Sequence, residues 1–274
     1  MFEISISESR LSAIPNGDTQ IAQRFAQAAG QYEAHAHAQR EIAAQFSAWL
    51  KVQAQQSKQQ PEKIAEIGCG TGLLSAHLCH DYPAAQLLLT DIAPAMLARC
   101  QQRFADEVVT LTDSQSPAIH YALADGQQIS FAPQPDWIVS SMCFQWFVDL
   151  PKVLAMHAAQ CQVLAFAVLL DGSFAPWRAA HEHLGLRHGL RTLPSLTEIE
   201  RACQTIPHCQ FKTQHISVKQ VHHNGLDFAR ALRAIGADTP HQQHQPVLLR
   251  PVLRQLEQGC GANYEVGLFW IERA

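Results

Sequence analysis

Apolar and polar positions along the chain fall into two rhythms, and the change between them lays out the architecture. From Thr19 to Ala54 the spacing is helical: Ile21, Phe25 and Ala28 share one face, while Ile42, Phe46, Trp49 and Leu50 share another. Gly30 predicts a break between two helices. The polar connector "QAQQSKQQPEK" then leads through Pro61 into short apolar runs that alternate with helical stretches. "KIAEI", "AQLLLT", "AIHYALA", "DWIVSSM" and "CQVLAFAVL" read as strands. "GLLSAHLCHDY", "APAMLARCQQRF" and "LPKVLAMHAAQ" read as the helices between them. Strands alternating with helices predict βαβ units, a parallel sheet and helices on both of its faces.

After Leu170 the rhythm loosens. A helix and an Arg- and His-containing loop are expected over "GSFAPWRAAHEHLGLRHGLRTLP". A further helix starts at Ser195, with Glu198 placed to complete a capping box. "FKTQHISVKQVH" alternates as a half-exposed strand, "GLDFARALRAIGA" is helical and ends at Gly236, and "NYEVGLFWIER" closes the chain as a strand. "PVLLRPVLRQLEQG" is helical only if Pro251 lies at a kink or in a first turn. Residues from Met1 to about Asn16 carry little pattern, and no internal repeat is present.

Composition narrows the function. The chain has 274 residues, 47% hydrophobic and 16% charged, enough apolar material for a sizeable core. A formal net charge of −4 gives no basic excess for nucleic acid, so an anionic partner needs a local patch. No apolar run reaches the roughly 20 residues of a membrane span. "MFEISISESR" lacks the basic and apolar regions of a secretion signal, so a cytoplasmic location is expected. The eight cysteines include no C-x-x-C pair and match no zinc spacing. Among the 15 histidines, His35 and His37 point to different sides of a helix, His222 and His223 are adjacent, and no H-E-x-x-H occurs, so no metal site is expected.

The chemistry concentrates in Lys63 to Gly72, "KIAEIGCGTG". A strand runs into three glycines, Gly68, Gly70 and Gly72, at the mouth of a helix. Free backbone N–H groups and partial positive charge gather there, and glycine lets a ligand approach the backbone closely. The spacing is G-x-G-x-G. A dinucleotide fingerprint would need glycine where Leu73 stands, and a phosphate-binding loop would need a lysine after the last glycine. Asp91 ends the second strand, about 20 residues beyond Gly68, where a carboxylate can accept hydrogen bonds from both ribose hydroxyls. Asp125, in "ALADGQQISF", follows the third, where an Asp-Gly could meet an adenine amino group. All three strand ends belong to the carboxyl edge of the sheet, where open α/β folds bind ligands.

This combination resembles the Rossmann-like (class I) S-adenosylmethionine-dependent methyltransferases. The resemblance implies an α/β fold with a mostly parallel seven-stranded sheet, helices on both faces, and N-terminal helices plus helical inserts forming a substrate lid. It implies S-adenosylmethionine as cofactor, held by Glu66, Gly68, Cys69, Gly70, Thr71 and Gly72, by Asp91, Ile92 and Met96, and by Ala124, Asp125 and Gly126. It divides the chain into a capping segment over residues 1–60, a cofactor-binding core over 61–170, and inserts with the last two strands over 171–274.

"RFAQAAGQYEAHAHAQREIA", "DGSFAPWRAAH", "ALRAIGA" and "NYEVGLFW", in that order, are similar to the malonyl-acyl-carrier-protein O-methyltransferases of biotin synthesis. "MHAAQCQ", Met156 to Gln162, departs from that family's basic, Pro-Gly-containing turn. The similarity implies esterification of the free carboxylate of a malonyl thioester, with the acyl carrier protein as partner and neither nucleic acid, membrane nor metal involved. It points to Tyr32 and Gln39 in the N-terminal helices, and the fold's usual acceptor side points to Gln145 and Trp146 after the fourth strand. Arg178, Arg187 and Arg191, with His188, are candidates for the substrate carboxylate or the acidic carrier. No catalytic residue is assigned, since a carboxylate is a nucleophile without a base. Other readings are methyl transfer to another small carboxylic acid or natural product, a nicotinamide-dependent oxidoreductase disfavoured by Leu73, and a cofactor-binding module without catalysis.

Overall fold

The computed structural model describes residues 3–5, 16–108, 118–237 and 249–274. The unpatterned stretch from Met1 to Asn16 lies almost wholly outside them. Strand β1 (Glu3–Ser5) is followed by three helices, α1 (Asn16–Ala28), α2 (Tyr32–His35) and α3 (His37–Ser57), with the turn at Gly30 dividing α1 from α2 as its sequence predicts. The alternating core follows: β2 (Lys63–Ile67), α4 (Leu73–Asp81), β3 (Gln86–Asp91), α5 (Pro94–Val108) and β4 (Ile119–Leu123). A three-residue strand β5 (Ser130–Ala132) pairs antiparallel with β1. Next come β6 (Trp137–Ser141), a 3₁₀ turn over Phe144–Trp146, α6 (Leu150–Ala158) and β7 (Val163–Leu169).

The remaining elements are α7 (Ala175–His183), α8 (Leu196–Gln204), β8 (Cys209–His222), α9 (Gly225–Ala234), α10 (Leu249–Gln255) and β9 (Cys260–Arg273). Ser195 caps α8 with the reciprocal Glu198 box that the sequence announces. Pro251 falls in the first turn of α10, the one place a helix tolerates it without losing a hydrogen bond.

Seven strands form one sheet in the order β4-β3-β2-β6-β7-β9-β8. The first five are parallel; β9 runs antiparallel between β7 and β8. Strand β7 shows why its sequence is apolar throughout. Val163, Ala165, Ala167 and Leu169 face one core, while Leu164, Phe166, Val168 and Leu170 just beyond it face the other. Alternate residues of a strand point to opposite faces, so a strand covered on both sides cannot alternate in polarity. On one face lies α3, through Ile42, Phe46 and Leu50, each buried and each contributing on the order of 1.5–3 kcal/mol. Trp137 meets Trp270 and Tyr82 edge-on over the same face. Phe166 stacks on Phe269 over the opposite one, beneath α6 and α8. Strand β8, at the sheet edge, is half exposed and keeps the alternating pattern.

Candidate functional site

Strand order reverses beside β2, whose neighbours are β3 and β6, and that is where open α/β sheets form a crevice. The segments leaving the carboxyl ends of β2, β3, β4 and β6 line one cavity, closed from above by α1, α2 and α3 through Phe25, Tyr32 and Gln39. The glycine loop is held by its neighbours. Cys69 N–H donates to the Thr90 carbonyl (2.9 Å), and Thr90 Oγ1 donates to the Glu66 carbonyl (2.8 Å). Asp91 latches the loop, its Oδ2 accepting from Gly70 N–H and its Oδ1 from Ala93 N–H, both at 2.8 Å. On the outer side Arg103, on α5, donates from Nε to the Thr71 carbonyl (2.8 Å) and pairs through Nη2 with Glu33 on α2 (2.6 Å), so one side chain joins loop and cap.

The three glycines of the loop take the left-handed conformation, with different consequences. A Cβ on Gly68 (φ 70°) would collide with Cys143 Sγ at 2.4 Å. A Cβ on Gly72 (φ 88°) would press on Cys100 Sγ at 3.0 Å, in the packing between loop and α5. A Cβ on Gly70 (φ 57°) would meet no atom of the described residues within 4 Å, although Gly70 lines the cavity. The empty space at Gly70 is therefore room for a ligand against bare backbone.

Burial sets the electrostatics. Glu66 is 1% exposed, and loss of solvent pushes its carboxyl up to about 8, while the Ser75 hydroxyl donating to its Oε2 (2.6 Å) opposes the shift. Burial also raises Asp91, opposed by the backbone N–H groups of Ala93 and Gly70. Asp125 Oδ1 accepts from Gln127 N–H (2.9 Å), shaping the turn after β4. His157, fully buried, has Nε2 2.8 Å from the Gly126 carbonyl, and burial lowers its imidazole to about 4. It is neutral at ordinary pH, so the ring that approaches Gly126 O through Nε2 carries its proton there as a donor.

A second cavity adjoins the first. The two share Phe25, Tyr32, Gln39, Met142 and Trp146, which form the boundary between them. Its far walls are apolar and come from remote parts of the chain: Leu169 at the end of β7 and Phe174 beyond it, Leu190 and Leu193 in the loop before α8, Leu232 and Ile235 at the end of α9, and Tyr264 on β9. Tyr264 is buried beside Gln39, and burial pushes its hydroxyl up to about 12. The Gln39 Oε1 is buried and has no hydrogen-bond partner among the described residues.

The residues singled out in the sequence distribute as follows. Glu66, Gly68, Cys69, Gly70, Thr71, Asp91, Ile92, Met96, Ala124, Asp125 and Gly126 line the first cavity. Gly72 does not; its Cβ position faces α5. Tyr32, Gln39 and Trp146 line both cavities, while Gln145 and Arg191 line the second. Arg178 and Arg187 line neither, and Arg187 is exposed. Sequence reading missed Phe25, Met142, Phe147, Leu232, Ile235 and Tyr264, because a cavity wall and a core position have the same apolar signature. Among the described residues no group of three or more His, Cys, Asp or Glu is placed to hold a metal ion, and no helix is long and apolar enough to cross a membrane.

Residues 64–165 match the family described as "Methyltransferase domain". The chain is 34% identical over 205 residues to the malonyl-[acyl-carrier protein] O-methyltransferase of Magnetococcus marinus, an alignment covering 74% of this chain and 72% of the relative. It is 37% identical over 255 residues to the biotin biosynthesis bifunctional protein BioCD of Bordetella avium, covering 90% of this chain and 51% of that protein, so it spans about half of that relative. Among solved structures, the magnesium protoporphyrin IX methyltransferase ChlM of Synechocystis, with bound SAH, aligns with a TM-score of 0.55 at 14% identity, over 89% of this chain and 86% of that one. The plantazolicin methyltransferase BpumL in complex with SAH gives 0.53, also at 14% identity, over 94% and 97%. Likeness at that identity speaks for the fold, which is that of a class I methyltransferase.

Proposed function

This chain belongs to the malonyl-[acyl-carrier protein] O-methyltransferases, and we propose that it esterifies the free carboxylate of a malonyl thioester carried by an acyl carrier protein. It is an S-adenosylmethionine-dependent methyltransferase of biotin synthesis. The observation that carries the reading is the pair of adjoining cavities: a glycine-floored one at the switch point of the sheet, lined by the acidic side chains of Glu66, Asp91 and Asp125 among apolar ones, bordered at Tyr32, Gln39 and Trp146 by a second one with mostly apolar walls.

The first cavity suits the cofactor chemically. Bare backbone at Gly70, the Asp91 carboxylate and the Asp125–Gly126 turn would hold the methionine, ribose and adenine parts respectively. Glu66, Cys69, Thr71, Ile92, Met96 and Ala124 complete the walls. S-adenosylmethionine supplies a methyl group already activated on a sulfonium sulfur. A malonyl carboxylate is ionised at neutral pH, so no residue has to remove a proton. What the chain supplies is position and dryness: holding acceptor oxygen and methyl carbon in line is worth several kcal/mol by itself. Among the described residues, those up to residue 60 act as the cap, those of 61–170 as the cofactor-binding part, and those of 171–274 as the source of most of the acceptor wall.

The test compares methyl transfer to free malonate, malonyl-CoA and malonyl-carrier protein under identical conditions. Highest kcat/KM for the carrier-linked substrate is expected. Preference for an unrelated small carboxylic acid would replace this reading with the broader one of a natural-product carboxyl methyltransferase.

A further inference from the structure

His157, on α6, is a buried titratable side chain to which methyl transfer assigns no step. Its ring stacks on Phe144 (6.1 Å between ring centres) and is tilted against Phe131 (6.5 Å). Burial lowers the imidazole to about 4, so the ring is neutral at ordinary pH. Nδ1 has no hydrogen-bond partner among the described residues, and Nε2 lies 2.8 Å from the Gly126 carbonyl. Phenylalanine would fill the same slot without burying ring nitrogens, so the Nε2–H donor is what distinguishes histidine there. That donor leads to the first cavity through one peptide unit. The Gly126 carbonyl shares its peptide with the N–H of Gln127, and this N–H donates to Asp125 Oδ1 (2.9 Å). The result is a chain from His157 Nε2–H through the 126–127 peptide to the Asp125 carboxylate, each link polarising the next. Its middle is wedged in place: a Cβ on Gly126 would stand 2.5 Å from Ile67 Cγ2 and 2.9 Å from Phe147 Cζ. At the far end, Asp125 Oδ2 accepts from Gln128 Nε2 (2.9 Å), and each carboxylate oxygen keeps a further lone pair for a ligand.

Resting on the reading above, in which the Asp125–Gly126 turn holds the adenine part, we infer that His157 is a positioning residue for Asp125. Through the 126–127 peptide it fixes the orientation in which that carboxylate accepts a hydrogen bond from the 6-amino group. It thereby sharpens selection of an amino-bearing purine over a 6-oxo one. His157 lines neither of the two cavities, while Asp125, Gly126 and Gln127 line the first, so its effect reaches the ligand only through the turn. Without the donor the Gly126 carbonyl loses this partner inside the protein. The peptide then gains by turning toward another donor, and that rotation carries Gln127 N–H off the carboxylate.

The experiment is calorimetric binding of S-adenosylhomocysteine and of S-inosylhomocysteine, in which a 6-oxo group replaces the amino group, to the full chain. Wild type should prefer the adenosyl form by at least about tenfold, and Asp125→Ala should bring that ratio to within about twofold of one. His157→Phe keeps the ring stacking and removes the donor; it should lower the ratio at least about threefold. His157→Gln, whose amide N–H can stand where Nε2–H stood, should hold the ratio within about twofold of wild type. An unchanged ratio in the Phe variant overturns the inference. Equal weakening of both ligands in both His157 variants also overturns it, by making His157 a packing residue. If the Phe variant does not fold, imidazole nitrogen NMR shifts of the wild-type chain decide: the proton is expected on Nε2, and a proton on Nδ1 overturns the inference. Failure here is distinct from failure of the reading beneath it. A wild type that binds the two nucleosides alike, or an Asp125→Ala variant that keeps the full ratio, removes the adenine assignment itself. A collapsed ratio in Asp125→Ala beside a full one in His157→Phe removes only the role of His157.

Discussion

Asp91 carries two jobs with one carboxylate. It lines the first cavity, and it holds the glycine loop through Gly70 N–H and the start of α5 through Ala93 N–H. Asp91→Ala should therefore weaken S-adenosylmethionine binding by at least about 2 kcal/mol, as read by calorimetry, since charge-assisted hydrogen bonds are lost and the loop is released. The glycines divide by what stands next to them. Gly70→Ala should leave the melting temperature little changed, apart from about 1 kcal/mol of left-handed strain, and should obstruct the ligand. Gly68→Ala should instead lower stability, because its Cβ has Cys143 in its way. Equal loss of stability in both would contradict the assignment of open space at Gly70.

Glu66 gives a pH signature with a definite sign. Its folded carboxyl titrates near 8, above the ordinary 4.5, so across that window the folded chain holds a proton that the unfolded chain has lost. Its contribution to stability is full below 4.5 and is lost as the pH rises through about 8. Thermal melts of wild type and Glu66→Gln across the window should diverge, with wild type falling relative to the variant as pH rises. Parallel curves would mean that Glu66 is ionised in the folded protein. Residues such as Asp91 and Asp125 were legible in the sequence because an acid at a strand end is rare for packing alone. Tyr264 and Phe25 were not, because burial and lining a cavity select the same side chains.

At the scale of elements, the cap and the loop meet through Arg103, which links Glu33 on α2 to the Thr71 carbonyl. Arg103→Met should speed S-adenosylmethionine release several-fold in stopped-flow measurements. Glu33→Gln should alter it by less than about threefold, since it removes only a half-exposed ion pair. Equal effects from both substitutions would place the latch at the ion pair and not at the loop. Most elements could be read from the pattern because propensity and burial agree in them: β7 is covered on both faces and wholly apolar, and β8 is an edge strand and alternates. The three-residue strands β1 and β5 were not legible, since so short a run contains no period. The 3₁₀ turn at Phe144–Trp146 was hidden for another reason: "SSMCFQW" continues the apolar character of β6 past its end.

Across the whole molecule, the acceptor cavity joins α1, α2, α3, the β7–α8 connection, α9 and β9, segments more than two hundred residues apart in sequence at the extremes, Phe25 and Tyr264. No local motif encodes such a wall, which is why "EIGCGTG" points to the floor of the first cavity, while of the second the sequence names only Tyr32, Gln39, Gln145, Trp146 and Arg191. The chain has a formal net charge of −4, so an acidic carrier must be steered by local cations, of which Arg187 is exposed near the loop that supplies Leu190. Arg187→Glu should raise KM for malonyl-carrier protein more than for malonyl-CoA. Added salt should reproduce part of the difference, because exposed charges are screened beyond about 8 Å at physiological ionic strength.

The central claim is that this fold transfers a methyl group to the free carboxylate of a carrier-bound malonyl thioester. Intact-mass spectrometry of malonyl-carrier protein, after incubation with the chain and S-adenosylmethionine, tests it most directly. The account predicts a mass gain of one methyl group on malonyl-carrier protein, none on acetyl-carrier protein, and its removal by an esterase. A gain on both carriers, or none on the malonyl form while S-adenosylmethionine still binds, would contradict it.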